Sequence, residues 1–362
     1  MRILFTRFPL ESRYGGAEVQ TLALMKGLHE EGHEIVFLGS CPVLLEETAK
    51  LKIENVKLKI GEPPVTKWGA IRFLWRKLLM KKKLYFQFSI FNFQFDAVCM
   101  LSLSEKLLLT PFLYKQGIKV AWIEHDRVGR WLTMNPWLWK LRRLSAMATT
   151  IVVSDLSRKI YEDLGFEHVV AIPNGIDASR LTSSKQEQFR IPNSEFRIGT
   201  LARLSRDKGV DLLIEAVKDL PDVALTIVGN GPDEKLLLAK KPINQKTKIV
   251  PYVKNLAGFY ADLDLFVLPS REHDPFGLVA GEAMLMGIPV IVTDACGIAG
   301  YLKNNRDAVI VKAGSADSLR DAIVRFHADT DLRQRIGDAG RKTAEEKFSM
   351  KIMVDRYEEL LA

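Results

Sequence analysis

Short apolar runs recur along the chain, each closed by a cluster of glycine, proline or small polar residues. In the first half they are RILFTR, EIVFLGS, DAVCML, KVAWIEH, TTIVVS and HVVAIP. Runs this short, bounded by turn residues, are the signature of buried strands. Between the first two lies VQTLALMKGLHEEGHE, where Val19, Leu22, Ala23, Met25 and Leu28 follow helical spacing. Strand, glycine-rich turn, helix and strand together make a βαβ unit. A second series begins after Pro173 with RIGTLARL, ALTIVGN, TKIVPYV, DLFVLPS, IPVIVTD and AVIVKAG, with VDLLIEAVKDL and PDEKLLLAKK as helical stretches between strands. Strand and helix alternating in both halves predict an α/β protein of two Rossmann-like domains, each a doubly wound parallel sheet. The polar, turn-rich IPNGIDASRLTSSKQEQFRIPNSEF is the junction, and it sets domains at 1–178 and 179–347. FSMKIMVDRYEELLA, 348–362, reads as a closing helix. Ligands of open parallel sheets sit outside the carboxyl ends of the strands. The expected site is therefore a cleft where two such edges face each other.

Composition changes this picture little. The 362 residues exceed one average core, and 47% hydrophobic with 27% charged residues is ordinary for a globular protein. MRILFTRF reads as a strand rather than a signal peptide, and no run of 18 apolar residues predicts a membrane span. Cys41, Cys99 and Cys296 lie far apart and read as reduced thiols of a cytoplasmic protein. Charge is more informative. Ten basic residues between Leu51 and Lys83 stand against only Glu54 and Glu62, which accounts for the whole net charge of +8.

Four groups of residues sit where chemistry is expected. Gly15 and Gly16 open the first helix, where backbone N–H groups can approach a phosphate; the plainer reading is a tight turn needing positive φ. His125 ends a strand, placed for acid–base work, for holding a hydroxyl, or merely for capping a loop. Arg203 and Lys208 follow the first strand of the second half and can grip a diphosphate, or can be solvated turn residues. Asp274 and Glu282 bracket a strand-to-helix turn in SREHDPFGLVAGEAMLMGIPV. Asp274-Pro275 also makes a ready helix N-cap and first-turn proline. Eight residues of helix would span about 12 Å, the reach of a ribose, a diphosphate and a sugar together. Asp262-Leu263-Asp264 has the form of a metal motif, but it leads straight into a strand, and strand-entry carboxylates are the reading adopted.

Together these motifs resemble the retaining GT-B glycosyltransferases of family 4. The resemblance rests on GGAEVQTLALMKGLHEEGHEI, WIEHDR, IPNGID, LARLSRDKGVDLLIEA, TIVGNGPD and DLFVLPSREHDPFGLVAGEAMLMGIPVIVTD, and runs from Arg2 to about Val311. It implies an acceptor-binding first domain, with the closing helix packed back on it, and a donor-binding second domain. Glu282 would bind the donor ribose, and Asp274 would sit by the transferred sugar. Phe276, Gly277 and Leu278 would offer backbone N–H groups to sugar and phosphate. Arg203 and Lys208 match cations that hold the diphosphate, Gly16 the glycine approaching it, and Gly229 and Gly231 a turn beside the nucleotide. His125 matches a histidine near the reacting carbon. The first acid is usually Glu; here it is Asp274, so either Asp274 or Glu272 makes that contact. The resemblance implies transfer of a hexose from a UDP- or GDP-sugar, with no metal and no cofactor. The same fold also hosts nucleotide-sugar 2-epimerases, and a non-catalytic nucleotide- or membrane-binding protein is a third reading.

KWGAIRFLWRKLLMKKKLYFQF interleaves Lys67, Arg72, Arg76, Lys77, Lys81, Lys82 and Lys83 with Trp68 and Trp75. Cations with aromatic anchors suit an anionic bilayer surface. The expected partner is the inner face of the cell membrane, the acceptor a lipid-linked or cell-envelope glycan, and no nucleic acid is expected. The alternative is a partly buried helix with a basic outer face.

Overall fold

Thirteen strands of the computed structural model, which describes residues 1–10, 15–92, 94–181, 196–240 and 246–362, form two fully parallel sheets. The first holds β1 (Arg2–Arg7), β2 (Glu34–Gly39), β3 (Glu54–Lys57), β4 (Ala97–Met100), β5 (Lys119–Glu124), β6 (Thr149–Val152) and β7 (Val169–Ala171), in the order β3-β2-β1-β4-β5-β6-β7. The second holds β8 (Phe196–Leu201), β9 (Val223–Val228), β10 (Lys246–Val250), β11 (Leu265–Leu268), β12 (Val290–Thr293) and β13 (Val309–Val311), in the order β10-β9-β8-β11-β12-β13. Strand order reverses between β1 and β4 in one sheet and between β8 and β11 in the other. Those switch points are where a doubly wound sheet opens a crevice.

The first unit comprises Met1–Gly175 and Met350–Ala362, and the second Ile176–Ser349. In the first, alternate residues of β1 feed two cores, as strand geometry requires. Ile3 and Phe5 pack with Leu24, Met25 and Leu28 of the helix Gly16–Glu30 and with Val354 and Tyr357 of the last helix, Met350–Leu361. Leu4 faces the other way, with Phe73, Met80, Leu84 and Phe88 of the basic helix Lys67–Ile90. A side chain at Gly27 would come within 2.4 Å of Val354, so that glycine sets how closely the last helix lies. In the second unit Ile198, Leu225, Leu265 and Ile291 pack with Leu213 and Ile214 of the helix Val210–Val217 and with Ile323 and Phe326. All three cysteines are buried, and among the described residues none forms a disulfide.

β3 departs from the sequence reading. Of its residues, ENVK, only Val56 is apolar, and all are at least partly exposed at the sheet edge, so no apolar run announces the strand.

Candidate functional site

In the second unit, the loops leaving β8 and β11 are tied together. The backbone N–H groups of Arg271 and Glu272 donate to the Asp207 carbonyl at 2.8 and 3.2 Å. The Arg271 guanidinium donates to the Arg206 carbonyl and to Asp211, each at 2.9 Å. Gly209 has φ +64°, and a Cβ there would lie 2.1 Å from the Pro269 carbonyl, so only glycine permits this approach. The result is a fixed place for Lys208, whose Nζ donates to Asp274 Oδ2 at 2.7 Å. Ser270 Oγ donates to the same oxygen at 3.0 Å, while Thr293 Oγ1 holds the Ser270 carbonyl at 2.7 Å. Arg203 lies exposed on the β8 exit and does not join this cluster; Glu272 is exposed beside it.

Asp274 is not a helix cap. The helix Leu278–Leu285 starts four residues later with Gly277 at its N-cap, in left-handed conformation at φ +95°. Asp274 instead forms a bridge with Cys296, its N–H donating to Ala295 and its carbonyl accepting from Gly297, each at 2.9 Å. The 12 Å helical spacing to Glu282 therefore does not apply, because the first half of that interval is not helix. Leu278 opens the helix; the Ala280 N–H already turns back to the Gly277 carbonyl at 3.0 Å, which leaves those of Leu278 and Val279 without an acceptor inside the helix. Phe276 is buried against Phe348, ring centroids 5.4 Å apart, and anchors the turn.

Glu282 is buried one turn into that helix. Its Oε2 accepts from the Tyr260 hydroxyl at 2.9 Å, and Arg180 Nη1 lies 3.5 Å from Oε1. Burial pushes its pKa up, partly offset by the Arg180 charge and the Tyr260 hydrogen bond. Gly229 and Gly231 lie behind the β8 exit. A Cβ would come 1.9 Å from the Ala202 carbonyl at Gly229 and 2.2 Å from the Leu204 carbonyl at Gly231. The two glycines let that loop be backed by the chain leaving β9. Asp262 and Asp264 act at strand entry: Arg197 donates to Asp264 through Nε and Nη2, both at 3.1 Å, and its Nη1 lies 3.6 Å from Asp262.

In the first unit, Gly15 caps the helix Gly16–Glu30 in extended conformation, and neither Gly15 nor Gly16 has positive φ. The tight-turn reading therefore fails. The first turn carries Glu18, paired with Arg7, the last residue of β1, at 2.5 Å. His125 follows β5. Neither ring nitrogen reaches solvent or finds a hydrogen-bond partner among the described residues, so it caps no loop. Burial, reinforced by the charges of Arg7 and Lys106, holds its pKa down to about 3. At neutral pH the ring is uncharged, able to donate one hydrogen bond and accept another but not to deliver a ready proton. Nearby, Lys106 pairs with Glu124 at 2.8 Å. Glu105 accepts from the Ser102 N–H at 2.8 Å, and burial pushes its pKa up to about 7.

The sequence reading named neither these pairs nor Ser270, Arg271, Tyr260 and Arg180. Ser270 and Arg271 open the SREHDPFG stretch and Ser102-x-x-Glu105 has capping-box spacing, but no local pattern marks the partners of Tyr260 and Arg180, which packing brings to Glu282 from 22 and 102 residues away.

The basic helix, Lys67–Ile90, has two apolar faces. Gly69, Ala70, Phe73, Met80, Leu84 and Phe88 are buried. Trp68, Trp75, Leu79 and Phe86 form an opposite stripe, with Trp75 84% exposed. Lys67, Arg72, Lys81, Lys82 and Lys83 are exposed around it, while Arg76 and Lys77 are half-buried. The helix is thus partly buried with a basic outer face, as one of the two readings has it, and that face also carries the exposed aromatic stripe. Among the described residues no helix is long and apolar enough to cross a membrane.

Residues 182–343 match the family model for glycosyl transferases group 1, and residues 14–180 match the model for glycosyltransferase family 4. The chain belongs to this family of glycosyltransferases. The lipopolysaccharide core biosynthesis glycosyltransferase LpsE of Rhizobium meliloti is 28% identical over 204 residues, 55% of this chain and 60% of that protein. The capsular polysaccharide biosynthesis glycosyltransferase CapM of Staphylococcus aureus is 30% identical over 202 residues, 52% of each. The chain thus spans between half and two thirds of the length of these relatives. Among solved structures, Anabaena HepE in complex with UDP superposes with a TM-score of 0.81 at 19% identity, over 100% of this chain and 99% of that one. A Rickettsia africae glycosyltransferase superposes at 0.79 and 20% identity, over 99 and 97%. The fold is GT-B.

Proposed function

We propose that the protein is a retaining glycosyltransferase that moves a hexose from a UDP- or GDP-sugar to a hydroxyl of a lipid-linked or cell-envelope glycan. The observation that carries this reading is the Lys208–Asp274 pair, set at the carboxyl edge of the second sheet inside the matched transferase segment. In this reading the second unit binds the donor. Glu282 accepts hydrogen bonds from the ribose hydroxyls. Arg203, Lys208 and the N–H groups at Phe276, Gly277 and Leu278 take the charge that builds on the diphosphate as its bond to the sugar breaks. Asp274 or Glu272 lies by the transferred sugar, which passes through an oxocarbenium-like state. The acceptor hydroxyl enters from the face the diphosphate leaves, and its proton passes to the departing phosphate oxygen. Gly15 and Gly16, at the start of the first helix, approach the donor phosphates from the first unit, and neutral His125 holds a sugar hydroxyl near the reacting carbon. Two protein cations serve the leaving group, and no metal is needed for it. Among structural neighbours, one crystal structure of HepE is in complex with UDP-glucose, and the relative LpsE is named for lipopolysaccharide core biosynthesis. Both support this donor and acceptor class.

The outer stripe of the helix Lys67–Ile90, rimmed by cations, supports a peripheral place on the cytoplasmic face of an anionic membrane. Each basic residue near such a surface contributes about 1 kcal/mol. The test of the reaction is incubation with UDP-, GDP- and ADP-hexoses and a membrane extract, with products followed by mass spectrometry and NMR. A new α- or β-glycoside with the donor's configuration, and free nucleoside diphosphate, supports it. A 2-epimer of the donor sugar, or binding with no turnover, overturns it.

A further inference from the structure

Three lysines converge where the basic helix meets the helix Leu138–Ser145. Trp137 is buried between them, its Nε1 donating to the Ala70 carbonyl at 3.2 Å and its ring meeting Phe73 edge-on at 5.2 Å. The ammonium groups of Lys77 and Lys140 each lie 5.7 Å from the centroid of that ring. Lys81, one turn beyond Lys77, lies 5.0 Å over Tyr85. Lys77 and Lys140 are half-buried. The pKa of Lys140 is lowered by burial and then by the charges of Lys77 and Lys81. No carboxylate pairs with any of the three among the described residues.

Like charges drawn together and partly desolvated oppose folding unless something offsets them. The aromatic faces of Trp137 and Tyr85 offset only a part of this. An anion with several oxygens and more than one negative charge would offset the rest, since each ammonium offers three donors and no acceptor. Leu74 and Leu78, on the flank between the lysines and Trp75, and Trp139 beside Lys140 are all more than half exposed. The surroundings therefore suit a phosphate carried on a hydrocarbon chain.

We propose that Lys77, Lys81 and Lys140 form, around Trp137, a binding site for the phosphomonoester or diphosphate headgroup of a lipid. The site is separate from the donor site and stands or falls without sugar transfer; only the lipid as its source rests on the membrane reading above.

The test is co-sedimentation with phosphatidylcholine vesicles doped with phosphatidic acid, or with phosphatidylglycerol to the same surface charge. The wild type should favour the phosphatidic acid vesicles. Lys77→Ala/Lys81→Ala/Lys140→Ala should lose that preference, its affinity for them falling roughly 10- to 100-fold. Arg72→Ala/Lys82→Ala/Lys83→Ala, which removes the same charge from the outer face, should weaken both vesicle types alike and keep the preference. If the two triple variants behave the same, or if the wild type shows no preference, there is no such site. Because the first triple variant relieves repulsion, it should melt no lower than the wild type. If it does melt lower, the glutamine set K77Q/K81Q/K140Q, which keeps the stems against Trp137, takes over the same comparison. Inorganic phosphate supplies the other arm. If phosphate alone raises the melting temperature of the wild type but not of the triple variant, and abolishes vesicle preference, the ligand is soluble phosphate and the lipid source is overturned.

Discussion

Lys208 and Asp274, 66 residues apart in sequence, meet at 2.7 Å with the carboxylate almost fully buried. In the proposed reading, the cation that receives the diphosphate is thus already held by one of the two acids, Asp274 or Glu272, proposed to stand by the sugar. Lys208→Ala should weaken binding of the nucleoside diphosphate roughly 10- to 100-fold, the worth of one charge-assisted hydrogen bond. Asp274→Asn keeps the shape and should instead lower turnover, with diphosphate affinity changed only a few-fold. Calorimetry on both variants, alongside steady-state rates, separates the two roles. Equal losses of affinity in both would contradict this division.

Glu282 shares its buried position with the Tyr260 hydroxyl. Tyr260→Phe removes that donor and should cost about 1–3 kcal/mol of stability. Glu282→Gln removes a charge that burial disfavours and should leave stability at neutral pH unchanged or higher, while donor affinity falls about tenfold. Denaturant melts of the pair, read against donor titrations, check this. A Glu282→Gln variant much less stable than the wild type would make Glu282 structural.

Glu105 and His125 give the first unit a pH signature. The pKa of Glu105 rises from 4.5 to about 7 on folding, so the native state keeps a proton the unfolded chain has lost, and this stability is lost as pH rises through that window. The pKa of His125 falls from 6.5 to about 3, so the unfolded chain holds the extra proton, and stability is lost as pH falls from 6.5 toward 3. Between 4.5 and 6.5 the two slopes oppose each other. Glu105→Gln should flatten the decline toward pH 7 and His125→Asn the decline below 4.5, in urea midpoints taken across the range.

Gly231 has ordinary φ, yet a Cβ there meets the Leu204 carbonyl at 2.2 Å. Gly231→Ala should push the β8 exit loop away and lower stability by about 1–3 kcal/mol. Donor affinity should fall with it, because the displaced loop carries Arg203 and leads to Lys208. A variant with wild-type melting and wild-type affinity would place the loop elsewhere.

On the outer stripe, Trp68→Ala/Trp75→Ala should reduce sedimentation with anionic vesicles and leave nucleotide binding intact. Rising salt should weaken the wild type as well, since part of the attraction is screened. Unchanged sedimentation would remove the membrane from the account.

Both sheets were legible in the sequence because buried parallel strands read as apolar runs, and all six strands of the second sheet fall on runs named from sequence. β3 was not, since a polar edge strand carries no such run. Of the candidate site, the residues beside glycine turns were readable by type: Lys208, Asp274, Glu282 and His125 sit after strands or at a helix start. What they touch was not readable. Asp274 looked like a helix cap because Asp-Pro commonly is one, but the chain first bridges to Cys296 and the helix waits for Gly277. Tyr260 and Arg180 reach Glu282 only through folding, 22 and 102 residues away in sequence, and a long-range contact leaves no local pattern.

The most direct measurement is thermal melting of the wild type and of Arg203→Ala/Lys208→Ala with UDP, GDP, ADP and their hexose conjugates. A ligand at 100 times its dissociation constant adds about 2.7 kcal/mol, enough for a rise of several degrees. The expected result is a rise with one nucleotide family in the wild type that is lost in the double variant, which would also name the base. No rise with any of them would contradict the donor site drawn here.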